Sequence, residues 1–141
     1  MKARSMFMWC VFVVALLSVE GLASGDAASA LKIAARVGNM AKLNQIIQHT
    51  GRGALNLNPA FVEASAHGRI TAMRYLIAQG AENFQGALVS ASVRNQIQAV
   101  RYLVDHDERV AHCDLRLARI AAGGAGATDV EFLLVTLIMH G

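Results

Sequence analysis

The sequence predicts an all-α protein, an α-solenoid of about four stacked helix–turn–helix units joined by short loops. Three observations predict it. MRYLIAQGAE at Met73–Glu82 and VRYLVDHDER at Val100–Arg109 nearly repeat each other 27 residues apart. Columns of small and aliphatic residues carry that register in both directions, and Gly or Asn recurs where two helices should turn. Stacked units are the usual meaning of such a period, because one short unit cannot bury its own apolar face.

The turn residues that align the chain are Gly38, Gly68, Asn95 and Ala125, with spacings of 30, 27 and 30. Seven places before them stand Leu31, Phe61, Leu88 and Ala118, then the small pairs Ala34–Ala35, Ala64–Ser65, Ala91–Ser92 and Ala121–Ala122. Small residues let a first helix approach its neighbours closely. Five places after each turn come Leu43, Met73, Val100 and Val130. The clusters Ile46–Ile47, Leu76–Ile77, Leu103–Val104 and Leu133–Leu134 follow and fill an interior. Gln45, Tyr75, Tyr102 and Phe132 precede those clusters, and the aromatic members read as core packing with a surface-reaching edge. Gly or Asn at the turn supplies a left-handed residue cheaply; Ala125 is the poor member, with Gly124 or Gly126 as substitutes. The expected helices are 29–37, 40–49, 59–67, 70–79, 86–94, 97–106, 115–123 and 128–139, with Leu76 and Leu103 among the most buried side chains.

These columns resemble the ankyrin repeat. SALKIAARVG (Ser29–Gly38) is similar to that family's T-P-L-H-x-A-A-x-x-G, and GRITAMRYLIAQGAE (Gly68–Glu82) to its continuation through the second helix. The likeness covers Ser29 to the C-terminus, in units of about 29–57, 58–84, 85–114 and 115–141. The signature Thr, Pro and His are replaced by Ser-Ala-Leu-Lys, Pro-Ala-Phe-Val and Gly-Ala-Leu-Val, and the spacings fall short of the family's 33. The resemblance therefore implies an ankyrin-like repeat domain over 29–141 with shortened connecting hairpins.

The N-terminus is a separate piece. Lys2 and Arg4 precede an apolar run from Met6 to Val19 and the small-residue stretch Gly21–Gly25. That order reads as a secretory signal peptide over 1–25 with cleavage near 23–25. The apolar run is short for a spanning helix, which needs about 20 residues; retention of 6–19 as a membrane anchor is the alternative. The expectation is a secreted or extracytoplasmic protein with no membrane contact after cleavage.

Removing 1–25 takes Lys2, Arg4 and Glu20 from 13 basic and 10 acidic residues and lowers the net charge from +3 to +2. So small an excess gives no reason to expect a nucleic-acid partner. Cys10 departs as well, leaving Cys113 without an intramolecular disulfide partner.

The sequence carries no phosphate-binding loop, zinc-protease, C-x-x-C or nucleophile-elbow motif, and no cofactor, metal or catalytic residue is assigned. The one cluster with ligand chemistry is His106-Asp107-Glu108 with His112-Cys113-Asp114, whose spacing matches no standard zinc site. A metal-binding or enzymatic role for this connection stands as an alternative reading.

The expected function is a non-catalytic protein–protein interaction module. The ankyrin resemblance implies a concave partner surface along the first helices and loop tips, with contact positions just before each turn. Here these are Arg36–Val37, Ala66–His67, Val93–Arg94 and Gly123–Gly124. Arg36, Val37, His67, Val93 and Arg94 are the candidate partner-binding residues, and their cations suit a protein with an acidic patch. Arg74 and Arg101 should project from the opposite side. The closing run from Phe132 to Met139 is apolar but for Thr136, which implies self-association through the last helix, a capping partner or an incomplete chain end.

Overall fold

The computed structural model describes residues 24–51, 53–106, 110 and 114–140. These form eight helices and no strand. The helices are α1 (Ser24–Val37), α2 (Met40–Thr50), α3 (Asn58–Ala66), α4 (Ile70–Ala78), α5 (Phe84–Val93), α6 (Ile97–His106), α7 (Leu115–Ala125) and α8 (Thr128–His140). All but Ser24 and Gly25 of the expected signal segment lie outside the described residues, as do Asp107, Glu108, His112 and Cys113 of the ligand-bearing connection.

Local chemistry starts the helices where the sequence provides it. The side chain of Asn39 accepts from the Lys42 N–H at 3.1 Å, and that of Asn83 from the Gly86 N–H at 3.0 Å. Asp114 accepts from the N–H groups of Arg116 and Leu117 at 2.9 and 3.3 Å. Each satisfies donors that a first helical turn leaves without partners. Pro59 sits in the first turn of α3, where its missing N–H removes no bond.

The four odd-to-even turns share one hydrogen bond. The N–H after each turn residue reaches back to a carbonyl in the odd helix: Asn39 to Ala34, Arg69 to Ala64, Gln96 to Ala91 and Ala127 to Ala122, at 2.8–2.9 Å. The residue inside the loop is left-handed in each: Gly38, Gly68, Asn95 and Gly126. The fourth turn thus closes on Gly126, and Ala125 is the last residue of α7. A left-handed residue with a Cβ costs about 1–2 kcal/mol, and a glycine stands next door. One residue of slip results.

Each odd helix packs on its even partner and on the next odd helix, while even helices meet their counterparts more lightly. One apolar core runs through all four pairs. Leu31, Phe61 and Leu88 on odd helices, and Leu43, Met73 and Val100 on even ones, are buried; so are Leu76 and Leu103. Phe61 and Phe84 meet edge to face with ring centroids 5.3 Å apart. Ser65 and Ser92 are buried as well, and each hydroxyl donates to the carbonyl one turn back, Phe61 at 2.8 Å and Leu88 at 2.7 Å. These buried polar atoms therefore carry no desolvation debt.

Side-chain amides tie one pair to the next. The Asn58 Oδ1 accepts from the N–H groups of Glu82 and Asn83 at 2.9 and 3.2 Å. Gln85, 27 residues on, grips Asp114: its Oε1 accepts from the Asp114 N–H at 2.6 Å and its Nε2 donates to the Asp114 carbonyl at 3.3 Å. Both clamps set the residue that caps the following odd helix. Asn95 adds a third tie, donating from Nδ2 to Asp129 at 3.1 Å and accepting from the Val130 N–H at 3.3 Å.

Moving the fourth turn to Gly126 changes what its columns present. Arg119 now occupies the place of Leu31, Phe61 and Leu88, and Glu131 the place of Leu43, Met73 and Val100. The two form an ion pair at 4.0 Å with side chains 41 % and 37 % exposed. Leu133 replaces the aromatic of Tyr75 and Tyr102. Phe132, expected to pack inward, falls instead in the exposed column of Arg74 and Arg101 and is 75 % exposed. The fourth pair thus sets a partly exposed ion pair where the inner pairs place buried apolar side chains.

Candidate partner-binding face

The five candidate residues sit in or just after the last turns of α1, α3 and α5. Arg36 and Val37 close α1, and both are exposed. The Arg36 carbonyl accepts from Arg69 Nε at 3.1 Å, so the second pair holds the end of the first. His67 follows α3, is half-buried, and approaches Glu63 Oε2 at 3.7 Å through Nε2. Its row therefore has an acid one turn away, which the count of residues beside the turns missed. Val93 ends α5 and Arg94 follows it, both exposed. The fourth member of the row is Gly124–Ala125 once Gly126 is the turn residue.

The same solvent face carries more apolar surface than the sequence reading assigned. Six places before each turn residue stand Lys32, Val62, Val89 and Ile120. Val62 and Val89 are half-buried and Ile120 is 63 % exposed. Leu117, one turn before Ile120, and Ile33, one turn before Val37, are exposed too. Among the described residues, seven large apolar side chains stand exposed, and Ile33, Val37, Val93, Leu117 and Ile120 all belong to odd helices. The i, i+4 pair Ile33–Val37 and the i, i+3 pair Leu117–Ile120 were the sequence signals. Neither pair was read as surface because Ile33, Leu117 and Ile120 lie outside the two places before each turn and are interleaved with Lys32, Arg116 and Arg119.

The even helices present a different outward face. Tyr75 Oη donates to Asn44 Oδ1 at 2.8 Å, and the Arg74 guanidinium lies over the Tyr102 ring, 5.9 Å from its centroid. Arg74 is thus a packing partner of the next pair as well as an exposed charge. Arg101 is exposed, as expected.

Among the described residues, no three His, Cys, Asp or Glu side chains converge to hold a metal ion, and no helix is long and apolar enough to cross a membrane. The His106–Asp114 connection lies largely outside those residues. Comparison with known proteins gives no matching family model, no similar curated protein and no similar solved structure.

Proposed function

We propose that this chain is a non-catalytic protein-interaction module, a short-looped ankyrin-like stack that takes its partner on the outward face of the odd helices. The observation that carries the reading is the collection of exposed Ile33, Val37, Val93, Leu117 and Ile120 on that one face. Exposed apolar residues gathered on one side mark an interface. Arg36 and Arg94 flank them, so the partner is a protein segment with both apolar and acidic side chains. The all-helical architecture and the turn bond common to all four pairs support the ankyrin-like part of the reading. The order basic, apolar, small over 1–25 supports export, and the mass of the native N-terminus tests it.

The binding test replaces Arg36, His67 and Arg94 with Glu in the full chain and measures capture of protein from the native compartment. Capture should be lost while the helical circular dichroism signal persists. Equal loss from Arg101→Glu, on the opposite face, would sink the assignment.

A further inference from the structure

The two ends of the stack are built unequally. In the helices of the first pair, Leu31, Leu43, Ile46 and Ile47 are buried. Among the described residues of α7 and α8, Val130 and Leu134 are the only large apolar side chains that are buried. Releasing either end pair exposes one face of its neighbour, so the end pair's own core residues decide which release is easier. Less apolar burial opposes the release of the fourth pair.

The α7 helix is also weak on its own account. Gly123 and Gly124 both lie inside it, and glycine regains the most backbone freedom on leaving a helix. Besides the packing of α7 on α5, polar ties hold the pair to the stack. Asn95 bonds Asp129 and the Val130 N–H, and Gln85 bonds the Asp114 backbone. These ties lie largely at the surface, where water competes for each bond.

Within the pair the two helices are closely bound. The Ala127 N–H reaches the Ala122 carbonyl at 2.9 Å, and Arg119 pairs with Glu131. A Cβ at Gly123 would lie 3.2 Å from Glu131 Oε1, so glycine lets α8 come this near. The helices therefore leave together. At 11 and 13 residues, neither persists alone in water, so a detached pair also unwinds.

We propose that α7 and α8 open from the third pair as one unit, ahead of the rest of the stack, while α1–α6 stay folded. Units that touch only their neighbours permit such partial opening. Leu117 and Ile120 lie on α7, so each opening removes the apolar end of the odd-helix face. A partner seated there holds the pair shut. That consequence rests on the interaction reading; the opening does not.

The test is amide hydrogen–deuterium exchange of the full chain, with rates normalised to those of the unfolded chain. Amides of α7 and α8 should share one rate, about tenfold or more above that of α3–α6. Asn95→Gly should raise that rate about two- to tenfold and leave α1–α4 unchanged. Fast exchange confined to the last turn of α8, or an α7 as protected as α5, would overturn the proposal. So would a first pair that exchanges before the fourth, or an Asn95→Gly effect spread through the stack. The measurement needs no partner, so its outcome is separate from that of the binding test.

Discussion

The outward faces of the odd and even helices are built from the same kind of exposed helix surface, yet they use it differently. On the even side, exposed polar groups are spent on neighbours: Tyr75 holds Asn44, and Arg74 covers Tyr102. On the odd side the polar ties lie at the helix ends, in Asn58, Gln85 and the Arg69 bond to the Arg36 carbonyl. The outward side chains along these helices include Ile33, Val62, Val89, Val93, Leu117 and Ile120. The contrast teaches where free surface lies. A face whose side chains already satisfy one another stiffens the fold, whereas a clamped backbone under unpaired apolar side chains is preorganised for a partner.

Substitutions at four positions sharpen that contrast, from large to small effects on stability. Leu103→Ala removes a fully buried side chain shared by the third pair and the core, and should cost about 2–5 kcal/mol in chemical denaturation. An unchanged curve would show that the register of α6 is wrong. Asn95→Gly keeps a left-handed turn and deletes the ties to Asp129 and Val130, which should cost about 0.5–1.5 kcal/mol. Asn95→Ala should cost more, since its Cβ also resists the left-handed turn. On the even face, Arg74→Ala loses the cover over Tyr102 and should cost about 0.5–1 kcal/mol. Arg101→Ala should stay within about 0.5 kcal/mol, the range of ordinary surface changes. Equal costs at Arg74 and Arg101 would remove the even-face tie from the account.

The sequence made the first three pairs legible and blurred the fourth, for physical reasons visible in particular residues. Gly38, Gly68 and Asn95 are the left-handed residues, and the helices around them begin and end within about two residues of their expected bounds, except α1. That helix starts at Ser24, inside the small-residue stretch read as a cleavage region, and it buries Ala27. In the fourth pair the run Ala121–Ala127 offers three glycines within four positions, so the turn has no unique place by composition. The following helix is apolar from Phe132 to Met139, and a helix apolar all round has no phase to read. The register carried over from the earlier pairs then put Phe132 inside and left Glu131 without a role. The structure turns the helix by one residue, exposes Phe132 and pairs Glu131 with Arg119. Of the candidate face, the turn-proximal Arg36, Val37, Val93 and Arg94 were legible from spacing. Ile120 and Leu117 were not, because they lie six and nine places before the turn residue, outside that row.

An equally small effect on stability belongs to the residue that should matter most for binding. Ile120 is 63 % exposed, so Ile120→Asp should change the folding free energy by no more than about 0.5 kcal/mol. The most direct test of the odd-helix assignment places a photo-crosslinking side chain at Ile120 and, in a second chain, at Arg101, and irradiates each full-length protein in its native compartment. The odd-helix face predicts a discrete protein adduct from position 120 that Arg94→Glu suppresses, and none from position 101. Adducts from position 101 alone, or from both positions alike, would contradict it.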